Sequence, residues 1–267
     1  MKLCRFMLAD GIARTGEVVG EHAGAPSIVE LERAIDGVSS ELAAWQAGAH
    51  HPLSAVTFLP PSLPTKIVAV GVNYRAHAAE FGKAVPEEPL LFLKPTSALC
   101  AHGQPIVLPA MSALVHHEAE LALVIGRRLH RVSAEEARHG ILGFTCLNDV
   151  TARDLQRKDG QFTRGKGFDT FAPVGPFLVT DLDPSDLGLR CRVNGELRQD
   201  GRTSDMVWDV YALVSFISRV MTLFPGDIVT TGTPPGVGPL IAGDVVEVEL
   251  EGVGVLQNLC IAEAPGA

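Results

Sequence analysis

No stretch of this chain stays apolar for the length a membrane-spanning helix needs, and the opening residues Met1-Lys2-Leu3-Cys4-Arg5 lack the apolar run of a secretion signal. Cysteine is sparse: Cys4, Cys100, Cys146, Cys191 and Cys260 are odd in number, scattered, and never spaced Cys-x-x-Cys. That spacing argues against a disulfide frame or a zinc ribbon and fits buried thiols in a reducing cytoplasm, the expected compartment. No Gly-x-Gly-x-x-Gly opens a helix, and the glycine-rich run Thr230–Gly238 lacks the Gly-Lys-Ser/Thr ending of a phosphate loop. Positive charge is also short, with 22 Lys and Arg against 31 Asp and Glu, a net charge of −9. Nucleic acid and anionic membranes are therefore disfavoured as partners.

What is present suits a globular chain with ample core: 46% of the 267 residues are hydrophobic and 20% charged. Residues 1–62 read as a small N-terminal domain. In it, Ser27-Ile28-Val29-Glu30 has a capping-box pattern that predicts a short helix, and Ser40–Gln46 predicts a second. The proline-rich Leu59–Pro64 makes a stiff connector, and residues 63–267 form the main domain. There Lys66–Gly71 predicts a buried strand and Ser133-x-x-Glu136 opens a helix running to His139. The longest predicted helix runs from Ser204 to Leu223 on the 3.6-residue period of Met206, Val207, Val210, Leu213, Val214, Ile217 and Met221. The remainder is strand punctuated by glycine and proline, so the fold class is mostly β (α+β), not alternating βαβ.

The most informative stretch is His117-Glu118-Ala119-Glu120-Leu121-Ala122-Leu123-Val124-Ile125. On a strand Glu118 and Glu120 share a face, and from Leu121 to Ile125 both faces are apolar, as in a strand covered on each side. Two carboxylates there are costly unless a positive charge lies between them, and a divalent cation meets that requirement. The same spacing recurs at Glu247, Glu249 and Glu251, but with Val246, Val248 and Leu250 alternating, which reads as a half-solvated strand. Asp149, just after the apolar run Ile141–Leu147, could complete a three-carboxylate site, although Asp149 or Thr151 capping a helical turn is the plainer alternative. An all-oxygen site favours Mg2+ or Mn2+, with Ca2+ the further candidate, over the zinc that His116 and His117 suggest.

Five more segments carry chemistry. His77 and Glu80 share a face on one helical turn, where a carboxylate fixes the tautomer of a general base; the alternative is a surface pair on a loop. Arg153 and Gln156 suit a grip on a substrate carboxylate or carbonyl. Lys94 and Lys166, among apolar or glycine neighbours, suit an anionic substrate or a developing oxyanion, although most lysines are merely solvated. Thr230–Gly238 reads as a tight turn whose hydroxyls and amides line a ligand site.

In order, Gly-x-Asn-Tyr-x-x-His-x-x-Glu at 71–80, Phe-Leu-Lys-Pro at 92–95, His-Glu-x-Glu-Leu at 117–121, Asn-Asp-x-Thr-Ala-Arg-Asp at 148–154, Lys-Gly-Phe-Asp at 166–169, Val-Asn-Gly-Glu-x-Arg-Gln at 193–199 and Pro-Gly-Asp-Ile-Val-x-Thr-Gly-Thr-Pro at 225–234 resemble the fumarylacetoacetate hydrolase family, in its short bacterial, acylpyruvase-like branch. The resemblance covers residues 64–260. It implies a mixed β-sandwich roll, a homodimer, and Mg2+ or Mn2+ held by Glu118, Glu120 and Asp149. It further implies a water-activating dyad of His77 and Glu80 on a mobile lid, Lys166 as active-site lysine, and Arg153, Gln156, Lys94 and Thr233 around a small keto-acid substrate. The expected reaction is hydrolytic C–C cleavage of an acylpyruvate-like 2,4-dioxo acid. The alternatives are an isomerase or decarboxylase acting on aromatic ring-cleavage products or oxaloacetate, and a non-catalytic, metal-dependent keto-acid binder.

Overall fold

A computed structural model describes residues 1–20, 26–31, 47–82 and 84–264. In chain order it begins with strands β1 (Lys2–Met7), β2 (Ala13–Val19), β3 (Ser27–Leu31), β4 (Ala47–Pro52), β5 (Thr57–Leu59) and β6 (Ile67–Gly71), then helix α1 (Arg75–Glu80). Next come β7 (Leu90–Lys94), β8 (Leu99–Ala101), β9 (Ile106–Leu108), β10 (Val115–His117), β11 (Ala119–Ile125), α2 (Ala134–Arg138), β12 (Ile141–Asn148), β13 (Thr151–Ala152), α3 (Arg153–Asp159) and α4 (Phe162–Lys166). The chain closes with β14 (Ala172–Val179), β15 (Gly188–Val193), β16 (Glu196–Arg202), α5 (Val210–Val220), β17 (Ile228–Thr230), β18 (Gly238–Leu240), β19 (Val245–Leu250) and β20 (Gly254–Ala262). The fold is mostly β, as the glycine and proline punctuation predicts.

The largest sheet has twelve strands in the order β4-β3-β2-β1-β14-β12-β11-β17-β6-β7, with β5 beside β1 and β8 beside β14. A five-stranded sheet, β16-β15-β19-β20-β9, packs against it, and β13-β10-β18 form a third. Strand β11 lies inside the large sheet and is buried at all seven positions. Leu121, Leu123 and Ile125 enter one core cluster while Ala122 and Val124 enter another, so both faces are covered. In β19 burial alternates instead, Val246, Val248 and Leu250 inside and Glu247 and Glu249 outside. Before the connector, β1 meets β14 at Lys2↔Val179 and Leu3↔Leu178, continuing the large sheet.

Asp227 fixes the seam between β17 and β6. Its fully buried carboxylate accepts from the Thr65 amide (2.9 Å) and hydroxyl (2.6 Å), the Lys66 amide (3.1 Å), the Phe224 amide (2.8 Å) and the Lys66 ammonium.

Two helix expectations are corrected. Ser27–Glu30 is part of strand β3, paired on both sides with β2 and β4, and Ile28 packs with Cys4, Phe6 and Val18. Sheet pairing there overrides a local Ser-x-x-Glu signal. The long helix starts at Val210, not Ser204, because the Asp209 carboxylate caps it, accepting from the Tyr211 (2.9 Å) and Ala212 (2.8 Å) amides. Met206 and Val207 are instead drawn to the chain before α1, through a Tyr74↔Met206 bridge and the Val207 amide on the Asn73 carbonyl (2.7 Å). The Ser133 capping box is present and opens α2. The Ser40–Gln46 prediction lies outside the described residues. Among the described residues no helix is long and apolar enough to cross a membrane.

Candidate active site

Antiparallel register assembles the acidic residues. Ala119 pairs with Asn148 across β11 and β12, so Glu118 and Asp149, one step beyond the ladder, emerge side by side. The Asp149 amide donates to the Glu118 carbonyl (2.8 Å), and the Glu118 amide donates to Asn148 Oδ1 (2.9 Å). Glu120, two residues along, projects from the same face. One oxygen from each of the three carboxylates lies within 4.8 Å of the others, and all three residues are buried.

Three cations answer two of these acids. Lys166 Nζ, at the end of α4, donates to Glu118 Oε2 (2.7 Å) and Asp149 Oδ2 (2.5 Å). Arg153, opening α3, donates Nη2 to Glu118 Oε1 and Nη1 to Gln156 Oε1 (2.7 Å). Gly165 permits this closeness of α3 and α4: a Cβ there would stand 3.0 Å from the Gln156 backbone. Lys94 Nζ bonds Asp149 Oδ1 (2.5 Å) and the Val150 carbonyl (3.3 Å). Burial alone would raise the Glu118 carboxyl, but the charges of Lys166 and Arg153 hold it well below the usual range. For Lys166 burial opposes the charge, yet Asp149 and Glu118 raise it above an ordinary lysine.

Glu120 differs. Its Oε2 accepts from the Thr230 hydroxyl and the Gly232 amide (2.8 Å), and among the described residues it has no ion-pair partner. Burial, then the Asp149 charge, push its carboxyl well above the usual carboxylate range. A carboxylate without counter-charge, in an all-oxygen cluster, is the donor chemistry a hard divalent ion takes up. His116 and His117 do not join the cluster; His117 is buried and turned to Gln199 (Nδ1···Oε1 3.1 Å).

Opposite the acids stands α1. His77 Nδ1 bonds Glu80 Oε2 (3.1 Å), as helical spacing predicts, and Glu80 Oε1 accepts the Gly236 amide (3.1 Å). With Nδ1–H pointing at a carboxylate, Nε2 keeps its lone pair. Burial lowers the His77 pKa, outweighing the acids around it, and so favours the uncharged ring. The loop after β17 thus reaches both groups, through Gly232 to Glu120 and through Gly236 to Glu80. Gln199 of β16, absent from the expected site, secures that loop: its Nε2 donates to Thr233 Oγ1 (2.7 Å) and the Pro234 carbonyl (2.8 Å), and its Oε1 accepts the Ala119 amide (3.0 Å).

A cavity of about 280 Å³ lies between dyad and acids, lined by His77, Glu118, Glu120, Asp149, Arg153, Gln156, Lys166 and Thr233. Eight of the ten residues expected at the site line it, and Glu80 reaches it through His77. Lys94 is the exception: it does not line the cavity but stands behind Asp149, and burial lowers its pKa. Thr233 lines the wall while its hydroxyl donates to the Ala119 carbonyl (2.8 Å). Phe81, Phe92, Phe162 and Arg157 also line the cavity. Sequence reasoning passed over them because single aromatic or basic residues in amphipathic segments carry no spacing signal.

A family model described as fumarylacetoacetate (FAA) hydrolase C-terminal matches residues 66–260. Oxaloacetate tautomerase FAHD2B, mitochondrial, of Bos taurus is 46% identical over 220 residues, 78% of this chain and 70% of that protein. The crystal structure of 5-carboxymethyl-2-hydroxymuconate delta-isomerase from Mycobacterium smegmatis is 45% identical, with TM-score 0.89 over 98% of this chain and 100% of that one. That of 2-hydroxyhepta-2,4-diene-1,7-dioate isomerase from Mycobacterium marinum is also 45% identical, with TM-score 0.88 over 99% of each chain. Matched over residues 66–260 in sequence and over nearly its whole length in structure, the chain belongs to the fumarylacetoacetate hydrolase family.

Proposed function

We infer that the protein is a divalent-metal-dependent enzyme that enolises a small 2-oxo acid and returns the proton, an isomerase or tautomerase. The observation that supports this most is the placement of a histidine, aligned by Glu80, across one cavity from three buried carboxylates and a buried lysine. A divalent ion held by Glu118, Glu120 and Asp149 would supply Lewis acidity to the carbonyl end of the substrate. Arg153 and Gln156 orient the substrate carboxylate from α3. His77 takes the proton from the carbon beside the carbonyl onto Nε2, and Glu80 steadies the imidazolium through Nδ1. Lys166 Nζ hydrogen-bonds the oxygen on which negative charge grows. The apolar wall of Phe81, Phe92 and Phe162 limits water around that charge. The relatives that carry the names tautomerase and isomerase support this order of preference.

Hydrolytic C–C cleavage, the reaction the sequence favours, is the second reading. It is supported by the same dyad, since Nε2 of His77 can equally take a proton from water. One experiment separates the two. A panel of oxaloacetate, acylpyruvates and aromatic ring-cleavage products is followed by NMR in heavy water, with Mg2+, with Mn2+ and with chelator. Deuterium entering beside the carbonyl with the carbon skeleton intact supports enolisation; release of pyruvate together with a carboxylic acid from an acylpyruvate supports hydrolysis. Equal rates with metal and with chelator would reject both.

A further inference from the structure

Arg157 is charged, lines the cavity and answers nothing. Among the described residues it has no hydrogen-bond or ion-pair partner, whereas every other charged group in the lining has one or is held by uncharged donors. Arg153 and Lys166 are committed to the acids at the floor. The two carboxylates nearest Arg157 in sequence are engaged elsewhere. Asp154 accepts from the Ser112 hydroxyl (2.6 Å) and the Ala113 amide (3.0 Å), and Asp159 accepts from Arg164 (2.7 Å). In a chain of net charge −9, this guanidinium opens onto the cavity with no carboxylate beside it among the described residues.

Its position on α3 gives the charge a direction. Arg153, Gln156 and Arg157 stand at i, i+3 and i+4, one face of one helix. Arg153 reaches Glu118 at the floor, and Arg157 lies one turn further along, roughly 6 Å by helical rise. The residue is exposed, as at a mouth, and Phe92 and Phe162, packed edge to face at 5.2 Å, line the cavity with it.

We propose that Arg157 is a specificity-determining residue that reads a second carboxylate on the substrate, distal to the 2-oxo acid end. The site therefore selects 2-oxo diacids over neutral analogues of the same length. This rests on the enolisation reading and adds to it the second anchor. A guanidinium–carboxylate contact that the bound substrate shields from water is worth roughly a ten- to hundredfold preference.

The test compares oxaloacetate with its 4-methyl ester, which differ in distal charge. Enol–keto interconversion of each is followed by ultraviolet absorbance with Mg2+, and binding of each by calorimetry, for wild type, Arg157→Gln and Arg157→Lys. The diacid-to-ester ratio of kcat/KM, and of affinity, should fall roughly ten- to hundredfold in Arg157→Gln and recover in part in Arg157→Lys. Ratios within about twofold of wild type, the behaviour of an ordinary solvated arginine, would overturn the proposal. If wild type interconverts neither compound, the enolisation reading falls, and the calorimetric ratio still decides on Arg157.

Discussion

Replacing Lys166 by methionine tests the electrostatics of the site directly. The ammonium bridges Glu118 (2.7 Å) and Asp149 (2.5 Å), and its side chain is 3% exposed. Methionine fills similar volume but returns two buried carboxylates to each other's repulsion, with Arg153 still on Glu118 and Lys94 still on Asp149. Removing one partner of a buried ion pair costs about 3–5 kcal/mol, and the remaining cations place this case near the lower end, about 3 kcal/mol. For a chain of this size that lowers the Tm by roughly 6–12 °C. A divalent ion should then recover more in the variant than in wild type, because the acids lack one of their counter-charges. Differential scanning fluorimetry of both proteins in chelator and in millimolar Mn2+ measures all four midpoints. If the variant melts within about 2 °C of wild type in chelator, or gains no more than wild type from Mn2+, the assigned electrostatics are wrong.

Acid should destabilise the fold as its buried histidines are forced to charge. Burial first lowers the pKa of His77, His102, His116 and His117 from 6.5, His116 to about 4. The unfolded chain therefore binds more protons than the folded one as pH falls from 6.5 toward 4, and stability drops over that window. Urea midpoints at pH 7 and pH 4.5 check this, and a higher midpoint at pH 4.5 would contradict it. Gly236→Ala places a Cβ 2.2 Å from the Arg198 carbonyl at φ +97°, so the loop must move and the amide on Glu80 with it. A displacement of that kind lowers kcat roughly tenfold to a hundredfold; wild-type turnover would show that the Glu80 contact has no role. Asp227→Ala strands four donors and an ammonium at the β17–β6 seam and should cost about 3–5 kcal/mol by urea unfolding, whereas less than about 1 kcal/mol would mean water replaces them freely.

Much of the site was legible because burial and spacing spoke together. Glu118 and Glu120 were separated from Glu247 and Glu249 by the apolar parity after them, and that contrast survives as a fully covered β11 against an alternating β19. The dyad was legible because three residues make nearly one helical turn. Lys94 was not, since sequence cannot say on which side of Asp149 a lysine stands. Gln199 reaches the site from another sheet, and only tertiary pairing brings it to Thr233. Ser27 and Ser133 carry the same capping pattern and took opposite forms, because β2 and β4 flank the first and nothing comparable competes at the second.

The short loop from Gly232 to Gly236 works as a tie rod between the two halves of the cavity. One of its amides grips the acid that lacks a counter-charge, the other grips the histidine's orienting carboxylate, and Gln199 bolts the middle. His77 and its orienting carboxylate are thereby linked to the anionic floor through one short stretch of backbone. Grafting a longer loop at this point would loosen base and acids together, so a substrate range broadened by that route would be bought with chemistry.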